Sequence, residues 1–273
     1  MSKAKNKALL LPVVLLLLLV SCRARPALAP SPAQDLKPRV VLGIFGGMGP
    51  EATANMYQLI VRLTPASKDQ EHIPTLIYSL PQVPDRTTAI ENHNPAIVPW
   101  LVEGVTRLER AGASFIIIPC NTAHYYHDRM QASVRIPVLN MIRETADAVA
   151  GLYPERRDVG LLATSGTIRT GLYAKELAAR GRRVIVPDEA VERDYVMKAI
   201  ALIKAGNTGR ESEDLLAFAG EHLEKRGAQL LVLGCTEIPL AFNPDCARVP
   251  VINATKVLAE AAIRKFKELS ETK

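Results

Sequence analysis

Two stretches of the chain share one pattern, and this limits the folds that are open to it. One apolar run ends in Cys120 and a second ends in Cys235, and a threonine follows each cysteine closely. Gly43 precedes the first cysteine by 77 positions, and Gly160 precedes the second by 75. Agreement over so long an interval predicts an internal duplication of one supersecondary plan.

The patterns around the two cysteines predict an α/β fold. Downstream, Arg135-Ile-Pro-Val-Leu-Asn140 matches Arg248-Val-Pro-Val-Ile-Asn253, and each leads into a helical pattern. Short apolar runs predict strands at Arg39–Phe45, Ile73–Ser79 and Ser114–Ile118. Longer amphipathic runs predict helices at Glu51–Leu63 and Ala96–Ala111. We therefore expect two pseudo-symmetric α/β lobes, 39–150 and 151–273, each with a mostly parallel sheet flanked by helices. The active site would lie between the lobes.

The first 21 residues are typical of a signal peptide. Three lysines precede an apolar run, Ala8–Val20, which is shorter than the roughly 20 apolar residues of a spanning helix. Leu19-Val20-Ser21-Cys22 resembles a bacterial lipobox, in which the cysteine sulfur carries the lipid. The alternatives are an ordinary secretory signal with a chance cysteine and an uncleaved anchor, which Pro12 and the short apolar run disfavour.

A tether follows the signal. Residues 22–38 are rich in proline and alanine, and their four prolines favour a stiff segment. We expect an exported protein that is lipid-anchored at the bacterial cell envelope, on the periplasmic side in a Gram-negative cell. The anchor would hold the body at a membrane surface without a spanning helix.

Composition excludes other classes of function. A chain of 273 residues with 48% apolar content can bury a substantial core. The formal net charge of +6 falls to +3 when the three signal lysines are removed, which is too small to indicate a nucleic-acid partner. Aromatic residues make up only 5% of the chain, so base stacking is not expected either.

The two matching cysteines are the candidate catalytic groups. Each follows the carboxyl end of a predicted strand, where parallel sheets bind their ligands, so facing lobes would bring both thiols to one cleft. One thiolate and one thiol can remove an α-proton from one face of a carbon and deliver a proton to the other. Two alternatives stay open: buried small apolar residues, or a disulfide. The fourth cysteine, Cys246, lies in a loop and has no expected role.

Three motifs carry a resemblance to a known family. Gly46-Gly-Met-Gly-Pro-Glu-Ala-Thr53, Pro119-Cys-Asn-Thr-Ala-His124 and Gly234-Cys-Thr-Glu237 together resemble the aspartate racemase branch of the aspartate/glutamate racemase superfamily. The resemblance runs from Val40 to about Ala262. It implies racemisation of a small amino acid by Cys120 and Cys235, without pyridoxal phosphate, any other cofactor or a metal. It also suggests a homodimer.

The resemblance assigns substrate-binding roles to further residues. The segment 79–87 resembles the family's substrate loop, where Gln82 contacts the substrate and Arg86 faces a side-chain carboxylate, which suits a guanidinium fork. The segment 171–175 resembles one that carries a substrate-binding lysine, Lys175. The remaining candidates would line the amino-acid pocket or orient the α-carboxylate: Met48, Asn121, Thr122, His124 and Thr236. For Arg86 and Lys175, an ordinary solvated charge is the alternative.

Some features depart from the resemblance or leave other functions open. Cell-wall glutamate racemases carry Asp-Ser in the first loop and histidine after Cys-Thr, whereas this chain has Gly47-Met48-Gly49 and Glu237. The glycine-rich loop lacks the residues of a nucleotide loop, and His124-x-x-His127 provides too few ligands for a metal. The alternatives are a solute-binding lipoprotein without catalysis, or a related reaction such as hydantoin racemisation, maleate isomerisation or malonate decarboxylation.

Overall fold

The first lobe is built on a parallel sheet whose central strand is completely buried. In the computed structural model, which describes residues 40–272, β1 (Leu42–Gly46) lies between β2 (Thr75–Ser79) and β3 (Phe115–Ile117). An isolated parallel bridge from Ile116 to Val138 extends the sheet beyond β3. The expected signal peptide, Cys22 and the tether lie outside the described residues.

The second lobe repeats this strand order. Its sheet runs β5 (Arg183–Ile185), β4 (Asp158–Leu162), β6 (Leu230–Leu233) and β7 (Val251–Asn253), all parallel. Here β4 takes the place of β1, β5 that of β2, and β6 that of β3. The expected α/β fold of two parallel sheets flanked by helices is confirmed.

Helices cover both sheets. Their bounds are α1 Pro50–Leu63, α2 Arg86–Glu91, α3 Val98–Arg110, α4 His127–Ala132, α5 Met141–Leu152, α6 Ser165–Arg169, α7 Leu172–Ala178, α8 Glu189–Val191, α9 Lys198–Lys204, α10 Arg210–Lys225 and α11 Ala254–Glu271. A π-helical stretch, Glu192–Met197, joins α8 to α9. Short 3₁₀ turns lie at Asp69–Glu71, Pro95–Ile97, Thr122–Tyr126, Ile238–Leu240 and Pro244–Cys246. Across residues 40–272 no helix has both the length and the apolarity to cross a membrane.

Helix α3 begins later than the sequence pattern suggests. The expected helix Ala96–Ala111 opens with the 3₁₀ turn Pro95–Ile97, and regular α-helix starts at Val98. The side chain of Asn94 accepts a hydrogen bond from the Ala96 amide and thereby caps the 3₁₀ turn.

The repeated asparagines are helix caps. The side-chain oxygen of Asn140 accepts hydrogen bonds from the first amides of α5, and that of Asn253 does the same for α11. Such a cap contributes about 1 kcal/mol to stability. The repeated segments therefore agree because each one ends an edge strand and starts the last helix of its half.

The repeated glycines mark a close approach of sheet and helix. A Cβ atom at Gly43 would lie 3.0 Å from the Cβ of Ala113, and one at Gly160 would lie 2.9 Å from the Cβ of Ala228. Both distances are shorter than ordinary packing allows, so glycine lets the central strand of each sheet lie close to the turn that follows α3 or α10.

The last helix of each half packs against the sheet of the other lobe. Ile142, Ala146 and Val149 of α5 pack in one apolar cluster with β4 of the second lobe. Apolar residues along α11 pack in another cluster with β1 and α1 of the first lobe. The described residues accordingly belong to a single compact unit, in which the two lobes share their cores.

Candidate active site

The two candidate thiols line the same small cavity between the lobes. Cys120 follows β3 and Cys235 follows β6, and each side chain is 5% exposed and free of any disulfide. The inner cavity that they share has a volume of about 20 Å³, which is the room of about one water molecule. Each cysteine follows the carboxyl end of a parallel strand, one in each sheet, and both border this one cavity.

Other expected residues line this inner cavity as well. They are Met48, Arg86, Asn121, Thr122 and Thr236. The structure adds residues that the sequence did not single out: Asp85, Thr87, Thr164, Lys204 and Glu237.

Three threonine hydroxyls connect the lobes beside the cavity. The Oγ1 of Thr122 lies 2.9 Å from the Oγ1 atoms of both Thr164 and Thr167, which are 3.0 Å from each other. Thr164 also caps α6, because its Oγ1 accepts a hydrogen bond from the amide of Thr167. Each hydroxyl has one proton and two acceptor positions, so rotation of one hydroxyl turns its proton toward an anion in the cavity.

Asn121 offers a buried donor to the cavity. Its Oδ1 accepts a hydrogen bond of 2.6 Å from the hydroxyl of Tyr173, which fixes the orientation of the amide. Its Nδ2 is buried and has no hydrogen-bond partner within the part of the chain that the structure describes. A buried donor without a partner is costly, so this amide is set to receive an acceptor from a ligand.

Arg86 is a second such donor. Its guanidinium is held by three backbone carbonyls: Nη1 donates to Val83 and Pro84, and Nη2 donates to Met48. The Nε is buried without a partner among residues 40–272. A fixed guanidinium with a free N–H next to a cavity is suited to a carboxylate.

The lysine at the site is Lys204 rather than Lys175. Lys204 ends α9 and lines the inner cavity, whereas Lys175 is exposed on α7 and lines neither this cavity nor the larger one beside it. No sequence pattern predicts this role, because a lysine in the last turn of a helix is also favoured by the helix dipole alone. Lys204 and Arg86 bring two positive charges to the inner cavity, which the carboxylates of Asp85 and Glu237 also line.

Glu237 is hydrogen-bonded to one of the two thiols. The Sγ of Cys235 donates to its Oε2 at 3.0 Å, and the amide of Gly49 donates to its Oε1 at 3.1 Å. Burial raises the pKa of the Cys235 thiol well above its usual value, and the negative charge of Glu237 raises it further. Both effects favour the protonated form of the Cys235 thiol.

A larger cavity adjoins the inner one. It has a volume of about 340 Å³ and shares Asp85, Arg86, Lys204 and Glu237 with the inner cavity. The other wall is largely apolar, and its residues include Pro50, Ala52, Pro81, Val83, Ile203 and Leu240. This outer cavity gives a ligand more room next to Arg86 and Lys204, and its wall also contains the acidic side chains of Glu51, Asp85 and Glu237.

The structure does not bring Gln82 or His124 to either cavity. Gln82 is exposed on the loop before α2. His124 is buried, and its nitrogens serve the backbone: Nδ1 lies 2.8 Å from the carbonyl of Cys120, and Nε2 accepts a hydrogen bond from the Met141 amide. Burial lowers its pKa to about 4, so the ring is neutral at pH 7. Its geometry is that of a brace for the Cys120 backbone rather than of a substrate ligand.

Residues 40–272 contain no cluster of three or more His, Cys, Asp or Glu side chains that could hold a metal ion. The ring of His127 is turned to the backbone like that of His124, with its Nε2 2.9 Å from the Val138 carbonyl.

Comparison with known proteins identifies relatives along most of the chain. A model of the family Asp/Glu/Hydantoin racemase matches residues 45–262. The broad specificity amino-acid racemase RacX of Bacillus subtilis (strain 168) is 28% identical over 232 residues, which cover 83% of this chain and 98% of that protein.

Solved structures give the same result. The Picrophilus torridus aspartate racemase superimposes with a TM-score of 0.75 at 29% identity, over 84% of this chain and 94% of that one. An aspartate racemase homologue from Pyrococcus horikoshii OT3 superimposes with a TM-score of 0.65 at 26% identity, over 85% and 99% of the two chains.

Proposed function

Because the chain belongs to the Asp/Glu/Hydantoin racemase family, we propose that it is an amino-acid racemase, hence an isomerase, that exchanges the α-proton between Cys120 and Cys235 without a cofactor. One observation carries this proposal: two buried, free thiols from the two lobes line a single small cavity. A binding protein has no need of paired thiols at matching strand ends.

The proposed reaction uses one thiol as base and the other as acid. The thiolate of one cysteine removes the α-proton, so that an S–H bond forms and the electron pair of the C–H bond passes to the α-carbon and its carboxylate. The thiol of the other cysteine then delivers its proton to the opposite face. Since the inner cavity has room for about one water, substrate entry requires a local opening of the lobes or loops.

The donors around the cavity would stabilise the intermediate. The free Nδ2 of Asn121 and the hydroxyls of Thr122 and Thr164 would bind the α-carboxylate, where negative charge accumulates, whereas the hydroxyl of Thr236 donates to Glu237. Fixed donors in a site that excludes water are effective because they need no reorganisation during the reaction.

We propose aspartate or a broader set of amino acids as substrates. The free Nε of Arg86 and the ammonium group of Lys204 favour an acidic side chain. The outer cavity of about 340 Å³ exceeds the needs of so short a side chain, which favours a wider range. The similar Bacillus protein bears the name of a broad specificity racemase.

The test uses L-aspartate in D₂O with a reductant and the chain from Arg39 onward. Loss of the α-proton is followed by NMR, and appearance of the D-enantiomer by chiral chromatography. We expect exchange with inversion in the parent protein, and its loss in Cys120→Ala and in Cys235→Ala. Cys246→Ala is the matched control, because this third thiol is exposed and lies away from the cavity. A parent protein that exchanges no amino acid of a broad panel would refute the proposal.

We also propose that the mature protein is exported and carries a lipid on Cys22, as the lipobox-like segment suggests. The homodimer that the family resemblance suggests is likewise a proposal. Sedimentation of the chain from Arg39 onward tests it, and a monomer at micromolar concentration would exclude it.

A further inference from the structure

The internal symmetry of the site is broken at one position. The two cysteines occupy equivalent places in the repeat, and the residue two positions after Cys120 is Thr122, whereas the one two positions after Cys235 is Glu237. Thr122 is engaged with the threonine hydroxyls beside the cavity. Glu237 instead accepts a hydrogen bond from the Cys235 thiol.

The carboxylate of Glu237 is fixed in place by several donors. Its Oε1 accepts from the Gly49 amide at 3.1 Å, and its Oε2 accepts from Cys235 at 3.0 Å and from the Thr236 hydroxyl at 3.3 Å. The Glu237 side chain is 4% exposed, so little solvent screens its charge. For Cys120, no side-chain hydrogen bond to the thiol occurs among the described residues.

Other charged or titratable groups face Cys235 across the same space. Lys204 lies at the end of α9, Asp85 and Arg86 lie at the start of α2, and Tyr173 lies on α7. Among the described residues none of these four is hydrogen-bonded to the sulfur of Cys235, whereas the carboxylate of Glu237 is. Its effect on the thiol is therefore the most direct.

We propose that Glu237 is a positioning residue that keeps the proton on Cys235, so that the resting enzyme holds Cys235 as the acid and Cys120 as the base of the pair. The inference deepens the proposed function and rests on it. The negative charge of Glu237 disfavours a thiolate at Cys235. An ionised carboxylate can only accept hydrogen bonds, so it pairs with the S–H of a thiol and not with a thiolate. The two thiols, which the repeat makes equivalent in backbone position, thus become unequal in protonation.

A pH profile would show this role. The active pair carries one proton, so kcat/KM falls at acid pH when both thiols are protonated and at alkaline pH when both are ionised. The alkaline limb then reports the loss of the proton that Glu237 retains. In Glu237→Gln the carboxylate charge is removed and the size is kept, while one of the two acceptor oxygens becomes an NH₂ donor. The alkaline limb should therefore move to lower pH, and the acid limb should stay in place.

The experiment combines that profile with a direct titration of the thiols. In the full-length protein, cysteine labelled with ¹³C at Cβ is titrated by NMR, and resonances are assigned with Cys120→Ala, Cys235→Ala and Cys246→Ala. In Glu237→Gln, we expect the thiolate fraction of Cys235 at pH 8 to rise on the order of tenfold, with little change at Cys246. The alkaline limb of kcat/KM should move to lower pH by about one unit, which corresponds to that tenfold change.

Two further variants make the test selective. Glu237→Asp keeps the charge and withdraws it from the sulfur by one methylene, so its titration should lie between those of the parent and Glu237→Gln. Glu213→Gln, at an exposed position on α10, is the charge-matched control and should titrate like the parent. A Cys235 titration that is the same in the parent and in both Glu237 variants would overturn the inference. The NMR titration needs no substrate, so this outcome is distinguishable from an absence of racemase activity.

Discussion

Replacing Lys204 tests the structure against the sequence pattern, because the two assign the substrate-binding lysine differently. The sequence resemblance favours Lys175, but the structure leaves that residue exposed on α7 and places Lys204 at both cavities. Methionine is the matched substitution at both positions, since it keeps the length of the side chain and removes the ammonium group.

The expected magnitude follows from the surroundings of Lys204. A hydrogen bond from a charged group to a carboxylate contributes about 1.5–3 kcal/mol. Because much of Lys204 is open to solvent, we take the lower part of that range, about 1.5–2 kcal/mol. Since about 1.4 kcal/mol corresponds to tenfold, Lys204→Met should lower kcat/KM for aspartate by about 10–30-fold.

The assay measures kcat/KM for both enantiomers of aspartate and of one neutral amino acid by chiral chromatography. For the neutral substrate, Lys204→Met should change kcat/KM by less than about threefold, because no side-chain carboxylate is lost as a partner. Lys175→Met should leave both substrates unaffected. If Lys175→Met selectively impairs aspartate and Lys204→Met does not, the assignment from the cavity is wrong.

Two further predictions concern other parts of the chain. His124 has a pKa of about 4 in the folded state, below its usual value of 6.5. Between these two pH values the unfolded chain binds more protons than the folded one, so the free energy of unfolding falls as the pH drops. By pH 5 the loss is about 2 kcal/mol. Urea unfolding at pH 7.5 and pH 5 should show this loss in the parent and not in His124→Asn, and an equal loss in both would contradict it. Cys22→Ala should move the expressed protein from the detergent phase to the aqueous phase of a Triton X-114 partition, and intact mass should show the acyl chains only on the parent; an unlipidated parent would exclude the anchor.

The sequence was informative where the structure depends on regular patterns. Strands that end in Cys120 and Cys235 are recognisable because buried parallel strands are short, continuous apolar runs, and the repeated glycines and asparagines mark the same packing and capping needs in both halves. These sequence features alone predict that the two thiols lie at the carboxyl edges of the two sheets.

The rest of the cavity could not be derived in this way. Thr164, Lys204 and Glu237 reach it from a helix cap, a helix end and a turn, and in sequence each has an ordinary local role. Conversely, His124 lies in a motif next to Cys120, but the direction of its ring depends on the Met141 amide, which is 17 residues away. Side-chain direction in irregular segments is set by tertiary contacts that leave no periodic signal.

The packing of α5 and α11 against the opposite lobes has a consequence for folding during synthesis on the ribosome. One face of the first sheet is covered by Ala254–Glu271, so it stays without its cover until α11 has been synthesised. The core of the amino-terminal lobe is therefore completed by a helix from the second half of the duplicated sequence, and until then its apolar residues remain available to chaperones or to other chains.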